Sequence, residues 1–195
     1  PSDIIEAMES ENESLVHSDP IRKIISKKRK KLYITADCAC DIPQELLEKY
    51  EIKLMYLYIK TPKGRFADTR EIEADSLAQY VTPDSSKAYA QSGTVEEYEE
   101  FFAEVLTEAE RVIHISVAAY TGVNYTNALA AAKCFDHVRV IDSGLSASGM
   151  GLLTLWAAKL AKEGKAVENI CSELEEVKYH IQTRLILPGT EIFYK

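Results

Sequence analysis

Glycine and proline are scarce in this chain, at 8 and 6 of 195 residues, and no run of eighteen uncharged apolar residues occurs. The first scarcity excludes collagenous or low-complexity chains, and the missing run excludes a helical membrane span. Basic charge is also in deficit, with 23 Lys and Arg against 31 Asp and Glu and a net charge of −8. Most of such a surface repels a phosphate backbone, so nucleic acid is not an expected partner. The opening PSDIIEAMESENES lacks the basic and apolar regions of a signal peptide and begins without Met. That suits a piece of a longer, cytoplasmic protein, in which four cysteines are expected as reduced thiols. What remains is 46% hydrophobic, enough for one sizeable core.

Residues 1–31 differ from the rest: an acidic stretch gives way to IRKIISKKRKK. We expect a solvated linker, or the tail of a preceding domain. From residue 32 strands and helices alternate. LYITAD (32–37) reads as a buried strand, PQELLEKY as a helix with proline in its first turn, and IKLMYLYI (52–59) as a second strand. A helix is expected over 73–81 and a loop over 83–93. Thr94 and Glu97 have capping-box spacing, and Val95, Tyr98, Phe102, Val105 and Leu106 mark one face of the helix that follows. RVIHISV (111–117) and HVRVID (137–142) read as strands, each leading through a turn into a helix: NYTNALAAAKCF, then about 145–162. A helix from Val167 to Ile181 follows, with RLILP (184–188) as a fifth strand. The expected fold is α/β: a three-layer sandwich with a mostly parallel central sheet. Ligands in such sheets sit beyond the C-terminal strand ends where strand order reverses, which singles out loops 36–43, 83–94, 117–124 and 143–149.

Those loops carry several candidate chemistries. Cys38 and Cys40, one residue apart in DCACD, supply two of the four ligands of a closed zinc site and lack dithiol spacing. SGLSASGMG (143–151) follows a strand, but Gly144, Gly149 and Gly151 are not spaced as a dinucleotide fingerprint, and small residues for close helix packing suffice. His114 sits inside a strand with no acidic orienter beside it in sequence, as expected for a satisfied, partly buried histidine. Asp37, Asp68 and Asp142 near strand ends suit turn-fixing as well as acid/base work. AQSGT (90–94) and AYTGVNYT (119–126) offer hydroxyls and N–H groups to a small anion at helix N-termini.

The order of these motifs resembles that of the DegV family, bacterial fatty-acid-binding proteins of the EDD fold. ADCACDIPQELLEKY resembles the family's T-D-S-T-A-D-L-P loop and following helix, with Asp37, Asp41 and Pro43 in place. HISVAAYTGVNYTNA is similar to its H-I-S-S strand and L-S-G-T-Y-Q-S-A loop, and VIDSGLSASGMG to V-I-D-S-x-S-A-S. The resemblance covers residues 32–195 and implies an N-terminal α/β domain that stops about where the family crosses into a second. It further implies a non-enzymatic lipid carrier without a cofactor, which binds a long-chain fatty acid and presents its carboxylate to a separate fatty acid kinase. The family's carboxylate-binding Thr falls at Ala90, with Ser92 or Thr94 as substitutes, and its Ser-Gly becomes Thr121-Gly122. Ser92, Thr94, Thr121 and Gly122 are therefore the expected ligand-binding residues, with Cys38 and Cys40 at or near the pocket rim. Alternatives are a phosphotransfer or hydrolytic enzyme using His114 or an aspartate, a thiol or metal site at Cys38 and Cys40, or a regulatory module with a degenerate pocket.

Overall fold

The computed structural model describes residues 29–72, 74–82, 85–184 and 186. The expected linker falls almost wholly outside them. In chain order the strands and helices are β1 (Tyr33–Asp37), α1 (Gln44–Tyr50), β2 (Lys53–Met55), β3 (Tyr58–Thr61), β4 (Gly64–Ala67), α2 (Ala74–Leu77), β5 (Val81–Thr82), β6 (Ser85–Ser86), β7 (Tyr89–Gln91) and α3 (Val95–Glu108). β8 (Val112–Ser116), α4 (Asn124–Ala132), β9 (Val138–Asp142), α5 (Ala147–Lys162) and α6 (Val167–Val177) complete them.

The central sheet runs β2-β1-β8-β9 and is parallel throughout, with Thr35 opposite His114 and Ile115 opposite Ile141. Every residue of β1 and β8 is buried, as two-sided cover by helices demands. On one face Ile34, Ile113, Ile115 and Ile141 pack with Leu153 and Leu160 of α5 and Ile170 and Leu174 of α6. On the other, Val112 and Val138 meet Tyr98, Phe102 and Val105 of α3 and Ala128 and Ala131 of α4. Three layers result, as expected. Consecutive connections leave β1 in opposite directions, to β2 and to β8, so the order reverses between β1 and β8. In open parallel sheets ligands sit beyond the strand ends at such a reversal, which here is the region past Asp37 and Ser116.

The second expected strand is really two. β2 ends at Met55, and β3 joins a separate antiparallel sheet of order β4-β3-β7. The chain turns where the Leu57 N–H donates to Cys38 Sγ (3.3 Å) and the Leu57 carbonyl accepts from the Asp68 N–H (2.9 Å). Strand propensity is equally high on both sides of that break, so only tertiary partners locate it. The helix expected over 73–81 shrinks to α2, a 3-10 turn at Ala78–Tyr80 and β5. The expected loop 83–93 contains β6 and β7, the latter recruited by pairing with β3. Of the expected strand 184–188, Arg184 and Ile186 lie in no strand, and the other positions are outside the described residues.

The α5 glycines act as close-packing residues. A Cβ at Gly151 would collide with the Cys40 carbonyl oxygen and reach 3.3 Å from Ile42 Cγ1. The helix therefore lies directly on the loop after β1. Gly151→Ala should destabilise the chain by about 1–3 kcal/mol despite alanine's better helix propensity, a loss measurable by urea unfolding.

Candidate functional site

Asp37 ends β1 fully buried. Its Oδ1 accepts from the Tyr98 hydroxyl of α3 (2.6 Å) and from His114 Nε2 of β8 (3.2 Å). Its Oδ2 accepts from Ser116 Oγ (2.8 Å) and the Val117 N–H (2.9 Å). Burial alone would raise the carboxyl's pKa, but the hydrogen bond and charge of His114, with Tyr98 and Val117, outweigh it and hold the group below its ordinary range. The Tyr98 phenol is pushed well up, by burial first and then by the adjacent carboxylate. His114 is completely buried rather than partly, and its Nδ1 lies 3.0 Å from Thr35 Oγ1. An acidic partner does exist, 77 positions away in sequence. Both side chains are fully buried and satisfied by one another and by neighbouring donors.

Around the crevice the four expected ligand residues separate into two kinds. Thr94 is the N-cap of α3: its Oγ1 accepts from the Glu97 N–H (3.3 Å), while its own N–H donates to Glu97 Oε2 (2.8 Å). Thr121 donates its hydroxyl proton to the Ala118 carbonyl (2.7 Å). Both hydroxyls therefore serve local structure. Ser92 is half-buried and makes no hydrogen bond among the described residues; a Cβ on Gly122 would stand 3.7 Å from its Oγ. Ser92 and Gly122 are the pair the fold brings together. Tyr120 and Val123, on either side of Thr121-Gly122, are exposed apolar side chains. Asn124 opens α4 with a buried Oδ1 that has no partner among the described residues. Sequence reasoning passed over it, because an asparagine at a helix start reads as ordinary capping.

Two ties place the Ser92 loop. Asn127 Nδ2 donates to the Gly93 carbonyl (2.7 Å), and a Cβ on Gly93 would lie 2.9 Å from Met55 Cε and 3.2 Å from the Tyr98 ring. A side chain there would have to push aside the end of Met55 and press on the Tyr98 ring.

Cys38 and Cys40 are inside the protein, not at a rim. Their 3-10 turn tucks both thiols under the loop, and burial pushes the thiols up, Cys38 to about 12. Among the described residues no group of three or more His, Cys, Asp or Glu is placed to hold a metal ion. Asp142 fixes the neighbouring turn, its Oδ1 accepting from the Ala119 N–H (3.0 Å) and the Gly144 N–H (2.9 Å). Among the described residues no helix is long and apolar enough to cross a membrane.

Comparison with known proteins agrees with this geometry. Residues 31–189 match the family model described as "Uncharacterised protein, DegV family". A DegV domain-containing protein of Clostridium acetobutylicum is 27% identical over 157 residues, 80% of this chain and 56% of its own. Among solved structures, a DegV family protein from Thermus thermophilus, described for its fatty acid binding, is similar with a TM-score of 0.71 at 24% identity, over 76% of this chain and 54% of that one. DegV of Bacillus subtilis, described as a fatty acid binding protein, gives 0.70 at 24% identity, over 77% and 54%. At those identities the likeness to solved structures establishes the fold. The chain spans a little over half the length of the curated relatives it matches.

Asp37→Asn removes a charge that four donors face, and should cost about 3–5 kcal/mol of unfolding free energy in urea titrations. Because folding lowers the Asp37 pKa, its contribution is fully present above the unfolded value near 3.8 and is lost as pH falls through the lower folded value. The wild type should therefore lose stability in that acid window more steeply than the variant does. A thiol alkylating reagent should modify exposed Cys134 in the native chain, and Cys38 and Cys40 only after denaturant is added.

Proposed function

The chain belongs to the DegV family, and from that membership we propose that it binds a long-chain fatty acid, with the carboxylate at Ser92 and Gly122. The observation that carries this reading is the Ser92–Gly122 pair at the switch point of the sheet, flanked by exposed Tyr120 and Val123. A half-buried hydroxyl without a partner among the described residues is a ready donor to an anion. Glycine at 122 leaves the approach to it unobstructed. An apolar rim suits the first carbons of a tail. Burying a methylene gains about 0.8 kcal/mol, so a tail of about sixteen carbons offers on the order of 12 kcal/mol gross. The tail thus supplies affinity, and the polar pair supplies orientation.

In this reading Thr94 and Thr121 contribute by shaping their loops, not by touching the ligand. The protein acts as a carrier and presents the head group to a separate fatty acid kinase, as the family resemblance implies. The similar proteins from Thermus thermophilus and Bacillus subtilis, each described by its fatty acid binding, support the ligand class.

Titration of the chain with palmitate, followed by native mass spectrometry, tests the proposal. We expect a weak, saturable complex with one ligand, because the chain spans little more than half the length of its relatives. Ser92→Ala should weaken it about tenfold, the scale of one hydrogen bond to a charged group. Thr121→Ala should change affinity less than Ser92→Ala. No saturable complex with any acid of fourteen to eighteen carbons, or equal affinity of wild type and Ser92→Ala, would refute the assignment.

A further inference from the structure

A single buried side-chain nitrogen or oxygen among the described residues lacks a hydrogen-bond partner: Oδ1 of Asn124. The residue is only 8% exposed, and its Nδ2 makes no hydrogen bond to the described residues either. Buried polar groups are ordinarily paired, because an unmade hydrogen bond costs more than a made one gains. An amide kept dry and unused at both ends needs a reason.

Capping is not that reason. Asparagine near a helix start commonly caps it, but the cap position of α4 is Val123, which has no side-chain acceptor. The first intrahelical bond runs from the Asn127 N–H to the Val123 carbonyl (2.8 Å), so the N–H groups of Asn124, Tyr125 and Thr126 precede it. This helix of nine residues thus starts with uncapped donors at the positive end of its dipole.

Position brings the amide to the Ser92–Gly122 pair. Two residues before Asn124, a Cβ on Gly122 would stand 3.7 Å from Ser92 Oγ. Three residues after it, Asn127 Nδ2 donates to the Gly93 carbonyl (2.7 Å). The first turn of α4 is therefore held against residues 92 and 93 on both sides of Asn124. Side chains of a helix tilt toward its N-terminus, so the Asn124 amide leans toward Gly122 and away from the body of α4.

We propose that Asn124 is a third head-group residue, its amide donating to one oxygen of the bound carboxylate while the Ser92 hydroxyl donates to the other. This assignment rests on the fatty-acid reading of the site. A half-turn about the last side-chain torsion exchanges the oxygen and nitrogen of an amide without changing its shape. The NH2 group then stands at the buried, unpartnered position and points its proton at the ligand. The uncapped N–H groups of α4 favour negative charge at the same place. An uncharged donor also suits so buried a position, where a lone cation would be costly whenever the ligand is absent.

Asn124→Leu keeps the shape of the side chain and removes its polarity, and two measurements on the full chain test the assignment. Titration with palmitate followed by native mass spectrometry should show affinity about tenfold below wild type, the scale of one hydrogen bond to a charged group. Urea unfolding of the ligand-free variant should give a midpoint equal to or above that of wild type, since an unpaired polar group is replaced by an apolar one. Unchanged palmitate affinity would overturn the assignment and leave the fatty-acid reading standing. A lowered urea midpoint would also overturn it, because the amide would then be holding the fold. No palmitate complex with the wild type would overturn the fatty-acid reading and this assignment together.

Discussion

The carboxylate of Asp37 joins β1, β8 and α3 at one point, and the geometry of the crevice above them depends on it. Taking such a group out of water costs several kcal/mol, and a single partner would not offset that. Tyr98, His114, Ser116 and the Val117 N–H together do. The His114 ring is itself wedged edge-on among Tyr98, Phe101 and Phe102 and satisfied at its second nitrogen by Thr35. A polar cluster without an orphan in the middle of an apolar core specifies one arrangement of strands and helix, because every alternative leaves a donor or a charge unpaired.

From that point the loops inherit their positions. Val117 is fixed by the carboxylate, so the segment running to Thr121 and Gly122 starts from a set place. Tyr98 is fixed by the same group, and Gly93 packs against its ring. Asn127 then closes the circuit from α4 back to Gly93. Ser92 thus faces Gly122 through a chain of contacts whose origin is one buried side chain. Loops anchored this way to strand ends and helix starts are held more tightly than free ones.

Much of this was legible in the sequence, and the exceptions have physical causes. β1, β8 and β9 announce themselves as short apolar runs bounded by polar residues, and the Thr94–Glu97 cap marks the start of α3 within a residue. The glycines of α5 read correctly as packing residues. The run IKLMYLYI does not reveal its break, because a strand that changes sheets keeps strand propensity throughout. β7 is invisible locally, since pairing with β3 creates it. His114 seemed to lack an acidic neighbour only because sequence distance hides a contact across adjacent parallel strands. Cys38 and Cys40 suggested a rim from their loop position, whereas a 3-10 turn folds them inward. At the site, the family resemblance offered Ser92, Thr94, Thr121 and Gly122 alike, and nothing local in the sequence separates the Ser92 hydroxyl from those of Thr94 and Thr121, which cap and brace.

The acidity of the chain bears on how an anion could be held in that crevice. A net charge of −8 disfavours a carboxylate ligand at long range, although salt screens charges beyond about 8 Å at physiological ionic strength. Two acids at the strand ends are internally compensated. Asp37 is surrounded by donors, and Asp142 accepts from the N–H groups of Ala119 and Gly144. The glutamates that gather in number lie instead along β2. At the Ser92–Gly122 pair itself an uncharged hydroxyl and a glycine backbone lie beside exposed Tyr120 and Val123. Under the proposed fatty-acid reading, a pair without a cation leaves charge attraction a small part of retention and burial of a tail the larger part. That balance favours an amphiphile over a small soluble anion, because the small anion would bring charge and no apolar surface to bury.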